Sequence, residues 1–311
     1  MKLSEARARR LLGGGVSRED YWGLVQDAIS YASELGPLLR MSSSSIKITD
    51  RDVVLSYPLT PAVKLDFVVD HCDTRSIGVS VIADGRYEPL LQEALLEVAR
   101  DCKLFTDIGA NAGFYSMAVR ATNLNCKVIA FECNPEMVAV LSSNIERNGL
   151  EGVVIRSEAL FDSFGEAEFH VPAFTGSGGG SLRDLHPEEG EPRRFKVSLI
   201  PFDSLELESV DLMKIDVEGA ELGVIKGAIS SIEKSRPTIF IELLRKWMGP
   251  FGSTPADVSR VLTDMGYSIF EIREQEVVQV LQISDVTAST NFVFVHNSRR
   301  RHRSILTSLS R

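Results

Sequence analysis

Cysteine is scarce. The 311-residue chain has four, Cys72, Cys102, Cys126 and Cys133, with no C-x-x-C pair and no histidine cluster beside them. That spacing argues against a disulfide framework and a sequence-local zinc motif, and it fits reduced thiols in the cytoplasm. Long apolar runs are also missing. No stretch of about 18 apolar residues occurs, so no membrane-spanning helix is expected. The amino terminus, MKLSEARARRLLGGG, lacks the apolar core of an export signal. Positive charge is in deficit: 34 lysines and arginines face 43 acids, a net charge of −9. A duplex-binding surface needs the opposite balance, so nucleic acid is not an expected partner.

What is present is globular. Apolar residues are 44% and charged residues 25% of the chain, a composition that excludes disordered and collagen-like proteins. The length suits one large domain with an extension, or two domains. Charge is uneven, because RRRHRSILTSLSR at the carboxyl end has no acid. Residues 298–311 therefore read as a basic, disordered tail, the sharper alternative being contact with an anionic surface.

Residues 1–100 read as an α+β extension that could help select the substrate. It opens with a flexible stretch at 1–17 and an amphipathic helix over 18–40, ended by Gly36-Pro37 and the serines of 42–45. Strand-like pieces at 46–48, 53–57, 64–69 and 77–82 follow, then a short helix at 90–99. Over 101–297 strand and helix patterns alternate, which predicts a mostly parallel sheet with helices on both faces. The last two strands, YSIFEIRE and NFVFVH, have no clear helix between them and so predict an antiparallel hairpin at one edge. The glycine-rich insertion over 174–190 reads as a lid that orders around its ligands.

The most informative motif joins a strand to a helix: Asp107-Ile108-Gly109-Ala110-Asn111-Ala112-Gly113. A dinucleotide fingerprint needs glycines at 109, 111 and 114, but Asn111 and Phe114 stand there. A P-loop needs a lysine after Gly113, and there is none. An acid two residues before Gly-x-Asn-x-Gly suits a ligand with an amino-acid end, its carboxylate on backbone N–H groups and its ammonium on carbonyls or the acid. This is the pattern of S-adenosylmethionine (SAM) enzymes. Glu132 ends the next strand, 25 residues after Asp107, where an acid accepts from the ribose hydroxyls of an adenosine. Glu158 is placed to accept from the adenine amino group, with Ala159 against the ring; an ordinary surface carboxylate is the equal alternative.

These residues resemble the FkbM-type SAM-dependent methyltransferases. The resemblance covers about residues 85–296 and rests on YEP (Tyr87-Glu88-Pro89), FTDIGANAGFYS, IAFECNP, the helix end Asn144…Asn148-Gly149-Leu150, and above all LMKIDVEGAELGVIKGA followed by RPTIFIEL. It implies a class I methyltransferase fold, Rossmann-like with a seven-stranded sheet, and SAM as cofactor. The usual reaction is O-methylation of a hydroxyl on a sugar or glycan, a polyketide or another small metabolite. Its motifs put Glu88, Asp107, Gly109, Asn111, Gly113, Phe114, Glu132, Asn134, Glu158 and Ala159 around the cofactor. Cys133 stands where the family more often has proline. Residues 1–84 carry no resemblance.

Methyl transfer is an in-line displacement, so positioning dominates, and an alcohol needs a base or a metal to remove its proton. Asp216, Glu242 and Glu218 fall at strand ends on the cofactor side and are the catalytic candidates. Asp216 and Glu242 are also suited to a divalent metal, which the resemblance does not imply. The structural alternative makes Glu218 and Glu221 helix caps. His170 and His186 are weaker bases, and Phe114, Tyr115 and Phe174 are candidate pocket walls. Two rivals stand beside a methyltransferase. An NAD-linked or nucleotide-sugar oxidoreductase is opposed by Phe114 and the lack of Tyr-x-x-x-Lys. A non-catalytic SAM-binding scaffold is opposed by the intact Asp107, Gly109, Gly113 and Glu132.

Overall fold

The computed structural model describes residues 23–27, 30, 39, 44–48, 52–69, 77–283, 287 and 289–309. The readings on residues 1–17, on most of the helix at 18–40 and on Cys72 lie outside these.

A meander comes first: β1 (Ser45–Ile48), β2 (Val53–Thr60) and β3 (Val63–Val68), antiparallel throughout. Helices α1 (Ile77–Asp84) and α2 (Pro89–Ala99) follow. Then come β4 (Leu104–Ile108), α3 (Phe114–Thr122), β5 (Lys127–Phe131), α4 (Pro135–Arg147) and β6 (Val153–Arg156). A side sheet of β7 (Ala159–Leu160), β8 (Gly165–Val171) and β9 (Arg193–Ile200) interrupts the alternation. It resumes with β10 (Leu212–Ile215), α5 (Glu221–Lys226), α6 (Ile229–Ser235), β11 (Thr238–Glu242), α7 (Arg245–Met248) and α8 (Pro255–Asp264). The chain closes with β12 (Tyr267–Ile272), β13 (Val277–Val280), β14 (Asn291–His296) and α9 (Arg300–Ser308).

The main sheet has eight strands in the order β13-β12-β14-β11-β10-β4-β5-β6. From β6 to β11 all neighbours are parallel, whereas β14 is antiparallel to both β11 and β12. The sheet is Rossmann-like as expected, and β12 and β14 do pair antiparallel, but they are not the edge: the short β13 between them in sequence takes it, making eight strands where seven were expected, and β14 inserts between β12 and β11. From β4 the chain winds outward to β6, then returns to β10 on the other side of β4. That reversal opens a crevice at the carboxyl ends of β4 and β10, where open α/β sheets bind ligands.

Each face of the sheet has its own core. One packs Phe105, Leu212 and Phe240 against α2, α3, α9 and the meander; the other packs Ile108, Met213, Ile215 and Ile241 against α5, α6 and α8. The meander is thus part of the first core, with Phe67 stacked on Phe114 at 5.6 Å. Asn148, which caps the carboxyl end of α4, and Asn144 within it complete the join. Their side chains accept from the backbone N–H groups of Asp66 (2.8 Å) and Val68 (2.9 Å), standing in for a neighbouring strand. The amide of Asn144 also donates to the carbonyl of Ala112 at 2.9 Å, tying the meander to the glycine turn.

Two further expectations fail. Residues 77–82 form a helix, not a strand. Ile77 and Val81 are buried one turn apart, and over so short a run a spacing of four fits both periods. The basic tail is not a solvated end over its described length. It forms α9, with His302 and Leu306 buried, and Arg299 and Arg301 pair with Asp211 and Asp101. Apolar Ile305, Leu306 and Leu309 supply the docking face that its arginines obscure.

Candidate active site

The glycine turn is shaped by its neighbour strand. Gly109 has φ +81°, and a Cβ there would lie 1.8 Å from the carbonyl oxygen of Asp216. The N–H groups of Gly109 and Ala110 both donate to Phe131 O at 2.9 Å, and Asp216 N donates to Ile108 O at 2.9 Å. Asn111, also left-handed at φ 49°, donates its N–H to Glu132 Oε2 at 2.7 Å. The other carboxylate oxygen accepts from Asn134 N at 2.8 Å. Burial pushes Glu132 up to about 7 against these two backbone donors. A carboxylate offers about four acceptor positions, so the two that remain fit the two hydroxyls of a ribose.

The strand period sets the second half of the site. Lys214 is in register with Asp107 on β4, and Ile215 with Ile241 on β11. Asp216 and Glu242 therefore end adjacent parallel strands side by side, on the same face as Lys214 and Asp107. The buried ammonium of Lys214 donates to Asp216 Oδ2 at 2.8 Å and lies 5.0 Å from the centre of the Tyr115 ring. Burial opposes its charge, but Asp216, Asp107 and Glu88 outweigh burial and hold its pKa above the ordinary value. Burial, then Asp216 and Glu88, push Glu242 up to about 8, while Lys214 and the hydroxyl of Thr290 (3.1 Å) pull the other way. Burial also raises Asp107, which accepts from Ser116 Oγ at 2.7 Å. Glu88 is raised by burial too, although it accepts from the Tyr115 hydroxyl at 2.7 Å.

A cavity of about 430 Å³ unites both halves, within the usual size of a small-ligand site. Of the expected residues, Glu88, Asp107, Gly109, Asn111, Phe114, Glu132, Glu158, Ala159, Asp216, Glu218 and Glu242 line it. Gly113 and Asn134 do not. Gly113 starts α3 at φ +89°, pressed against Leu141, and Asn134 caps α4 by accepting from Glu136 N at 3.1 Å. Both shape the wall from behind. Glu158 is held below the usual carboxylate range by its bond to Arg156. Glu218 sits in a left-handed conformation (φ 49°), its carbonyl accepting from Ser181 Oγ of the glycine-rich segment at 2.7 Å. Glu221, not Glu218, accepts from the N–H of Gly219 at the start of α5. The aromatic wall contains Phe114 and Tyr115, but Phe174 is 71% exposed and lies outside it. Neither His170 nor His186 lines the cavity, whereas Ser177, Gly178 and Gly180 do.

Lys214, Lys246 and Trp247 line the cavity without having been singled out from the sequence, and so does Tyr87 of the YEP motif, to which no site role was given. For Lys214 a signal existed. A lysine inside the otherwise apolar strand Leu212–Ile215 is buried on both sides, which requires acidic partners. Among the described residues, Asp216 and Glu242 are joined by no third carboxylate, histidine or cysteine ligand atom within 4.8 Å, so a divalent cation there would take the rest of its shell from water or substrate oxygens.

Sheet order and a cavity at the switch point are those of the class I methyltransferase fold. Residues 107–269, just over half of the chain, match the family model of the methyltransferase FkbM domain. The chain belongs to the FkbM family of SAM-dependent methyltransferases. It is similar to hexuronic acid methyltransferase AglP of Haloferax volcanii, 29% identical over 188 residues, which cover 59% of this chain and 71% of that one. It is also similar to methyltransferase sdnD of Sordaria araneosa, 26% identical over 211 residues, 54% of this chain and 75% of that one. A crystal structure of methyltransferase FkbM from Methylobacillus flagellatus aligns at TM-score 0.42 and 15% identity, over 62% of this chain and 44% of that one. This chain therefore spans less than half the length of that solved chain. No helix among the described residues is long and apolar enough to cross a membrane.

Proposed function

We propose that this protein transfers the methyl group of SAM to a hydroxyl oxygen of a sugar or glycan, within a wider class of polyketide and small-metabolite acceptors. The observation that carries the reading is the pair Asp216 and Glu242, side by side at the cavity wall with the buried ammonium of Lys214. SAM supplies an electrophilic methyl on a sulfonium. The chain's own residues do the rest. Glu132 orients the nucleoside, the glycine turn at 109–113 borders the amino-acid end, and Lys214, donating to Asp216 at 2.8 Å, holds that side chain in place to orient the acceptor hydroxyl. Glu242, raised toward the pKa of a useful base, takes the hydroxyl proton. Apolar and aromatic walls keep water from competing.

A sugar acid is favoured among acceptors. Lys246 lies 4.2 Å from the Trp247 ring at the cavity wall, a cation beside an aromatic face that suits a carboxylate on a pyranose ring. The hexuronic acid specificity in the relative's name agrees. Ile77, Tyr87 and Glu88 of the 1–100 extension also line the cavity, which supports a part for it in acceptor choice. The thiols of Cys102, Cys126 and Cys133 are free, in keeping with a cytoplasmic enzyme. The test is mass spectrometry of acceptor panels incubated with SAM. Hexuronic acid glycosides should gain one methyl on oxygen, and neutral sugars less. SAM binding without transfer to any hydroxylated acceptor overturns the reading.

A further inference from the structure

Far from the cavity, at the amino end of β4, three side chains with metal-binding chemistry converge. Asp101 and Cys102 form the turn between α2 and β4, and His302 lies on α9. One ligand atom from each falls within 4.8 Å of the others. Cys102 and His302 are buried at 3% and 4% exposure, while Asp101 opens to solvent. We propose that Asp101, Cys102 and His302 bind a zinc-type divalent cation that fastens the carboxyl-terminal helix to the sheet.

The geometry supports each ligand. Tetrahedral zinc, with bonds of about 2.0–2.3 Å, holds its ligand atoms roughly 3.3–3.8 Å apart. His302 Nε2 and Asp101 Oδ1 already stand at 3.6 Å. The other ring nitrogen, Nδ1, is 2.7 Å from the hydroxyl of Thr238, a fully buried residue at the start of β11. That contact fixes the ring and leaves Nε2 toward the site, the outer-sphere arrangement of metal-bound histidines. One sulfur, one nitrogen and one carboxylate oxygen suit zinc or cobalt, not magnesium or calcium. Water can complete the shell on the open side of Asp101. Arg301 binds this same Asp101 Oδ1, and the Cys102 thiol donates to Val98 O at 3.5 Å. Cation binding turns that thiol inward as thiolate, releases its proton, and takes the place of the Arg301 guanidinium at Asp101 Oδ1. Nothing local in the sequence announces the site, because Cys102 and His302 are 200 residues apart.

The full chain, stripped with chelator, is titrated with Co²⁺ and then Zn²⁺. One cobalt per chain should bind with thiolate-to-cobalt charge-transfer absorption, and zinc should displace it. Cys102→Ser should lose that absorption. Thr238→Val should keep it with affinity lowered about 10–100-fold. SAM calorimetry serves as the folding control, since the cofactor cavity is at the other end of the sheet. No thiolate band in the wild type, or a band that survives Cys102→Ser, overturns the site. Should Cys102→Ser fail to fold, X-ray absorption on the zinc-loaded wild type decides: one sulfur in a nitrogen and oxygen shell supports it, and a shell without sulfur overturns it.

Discussion

Glu132 and Glu242 stand at the carboxyl ends of parallel strands, and burial raises both, yet their surroundings differ in kind. Glu132 is held by backbone N–H groups of Asn111 and Asn134. Those donors cannot move without moving the turn, so its position is fixed by the fold. Glu242 is surrounded by side-chain charge: Asp216 and Glu88 repel it and Lys214 draws it back. Its protonation therefore answers to its neighbours and to whatever enters the cavity. The first arrangement suits recognition, which needs geometry. The second suits proton transfer, which needs a group that changes charge near neutral pH.

The sharpest way to break this division is to remove the chemistry and leave the recognition. Asp216→Asn and Glu242→Gln keep shape and some acceptor capacity. Each is expected to lower the single-turnover rate by roughly 10²–10⁴-fold while SAM affinity stays near that of the wild type. Wild-type rates in both variants would move the base to another wall of the cavity, with the glycine-rich segment and the extension as the places to look.

Lys214 holds the second arrangement together. Lys214→Met leaves Asp107, Asp216 and Glu88 without their shared cation. Losing one partner of a largely buried pair costs about 3–5 kcal/mol, and the Lys214 and Asp216 side chains are 8% and 29% exposed. Urea unfolding should show that loss, and adding Asp216→Asn should recover part of it. A change below about 1 kcal/mol would mean that water screens the pair as it does at a surface.

The same contrast explains what was legible beforehand. The alternation of strands and helices, the turn at 107–113 and Glu132 could be read because each is written in consecutive residues. Asp216 and Glu242 could be placed together because consecutive strands with a helical crossover tend to be neighbours. Less visible were features made by distant segments. Gly109 looked like a cofactor glycine, and it is also required by the Asp216 carbonyl, so a Gly109→Val variant would disturb the sheet and the ligand site at once. Asn134 sits in a motif but serves as a helix cap. The docking of α9 rests on three apolar residues within an arginine-rich stretch, where charge dominates any compositional reading.

On the recognition side, Glu132→Gln keeps one oxygen for a backbone donor and removes the charge. The expected loss of SAM affinity is about 1.5–3 kcal/mol, the range for hydrogen bonds to a charged acceptor. Calorimetry should show it with the maximal transfer rate little changed. A rate loss at saturating SAM as large as that of Glu242→Gln would erase the distinction between the two acids.

The smallest effect expected is on pH dependence, and it depends on sign. An acid raised to about 8 is mostly protonated at pH 7 and cannot accept a proton. Transfer measured as kcat/KM, which reports the free enzyme, should therefore rise with pH and level off above that value, by about tenfold from pH 7 to the plateau. In the ternary complex the sulfonium adds positive charge, so the kcat profile should level off at lower pH. The same raised pKa has a consequence for stability. The folded state holds this proton more tightly than the unfolded chain does. The contribution is thus fully present below the ordinary carboxylate range and is lost as pH rises toward about 8. Glu242→Gln cannot ionise, so it should flatten both the kcat/KM profile and its share of the fall in unfolding free energy between pH 5.5 and 8. If the variant flattens the stability profile alone, Glu242 is a buried acid of the fold and the proton is taken by another group.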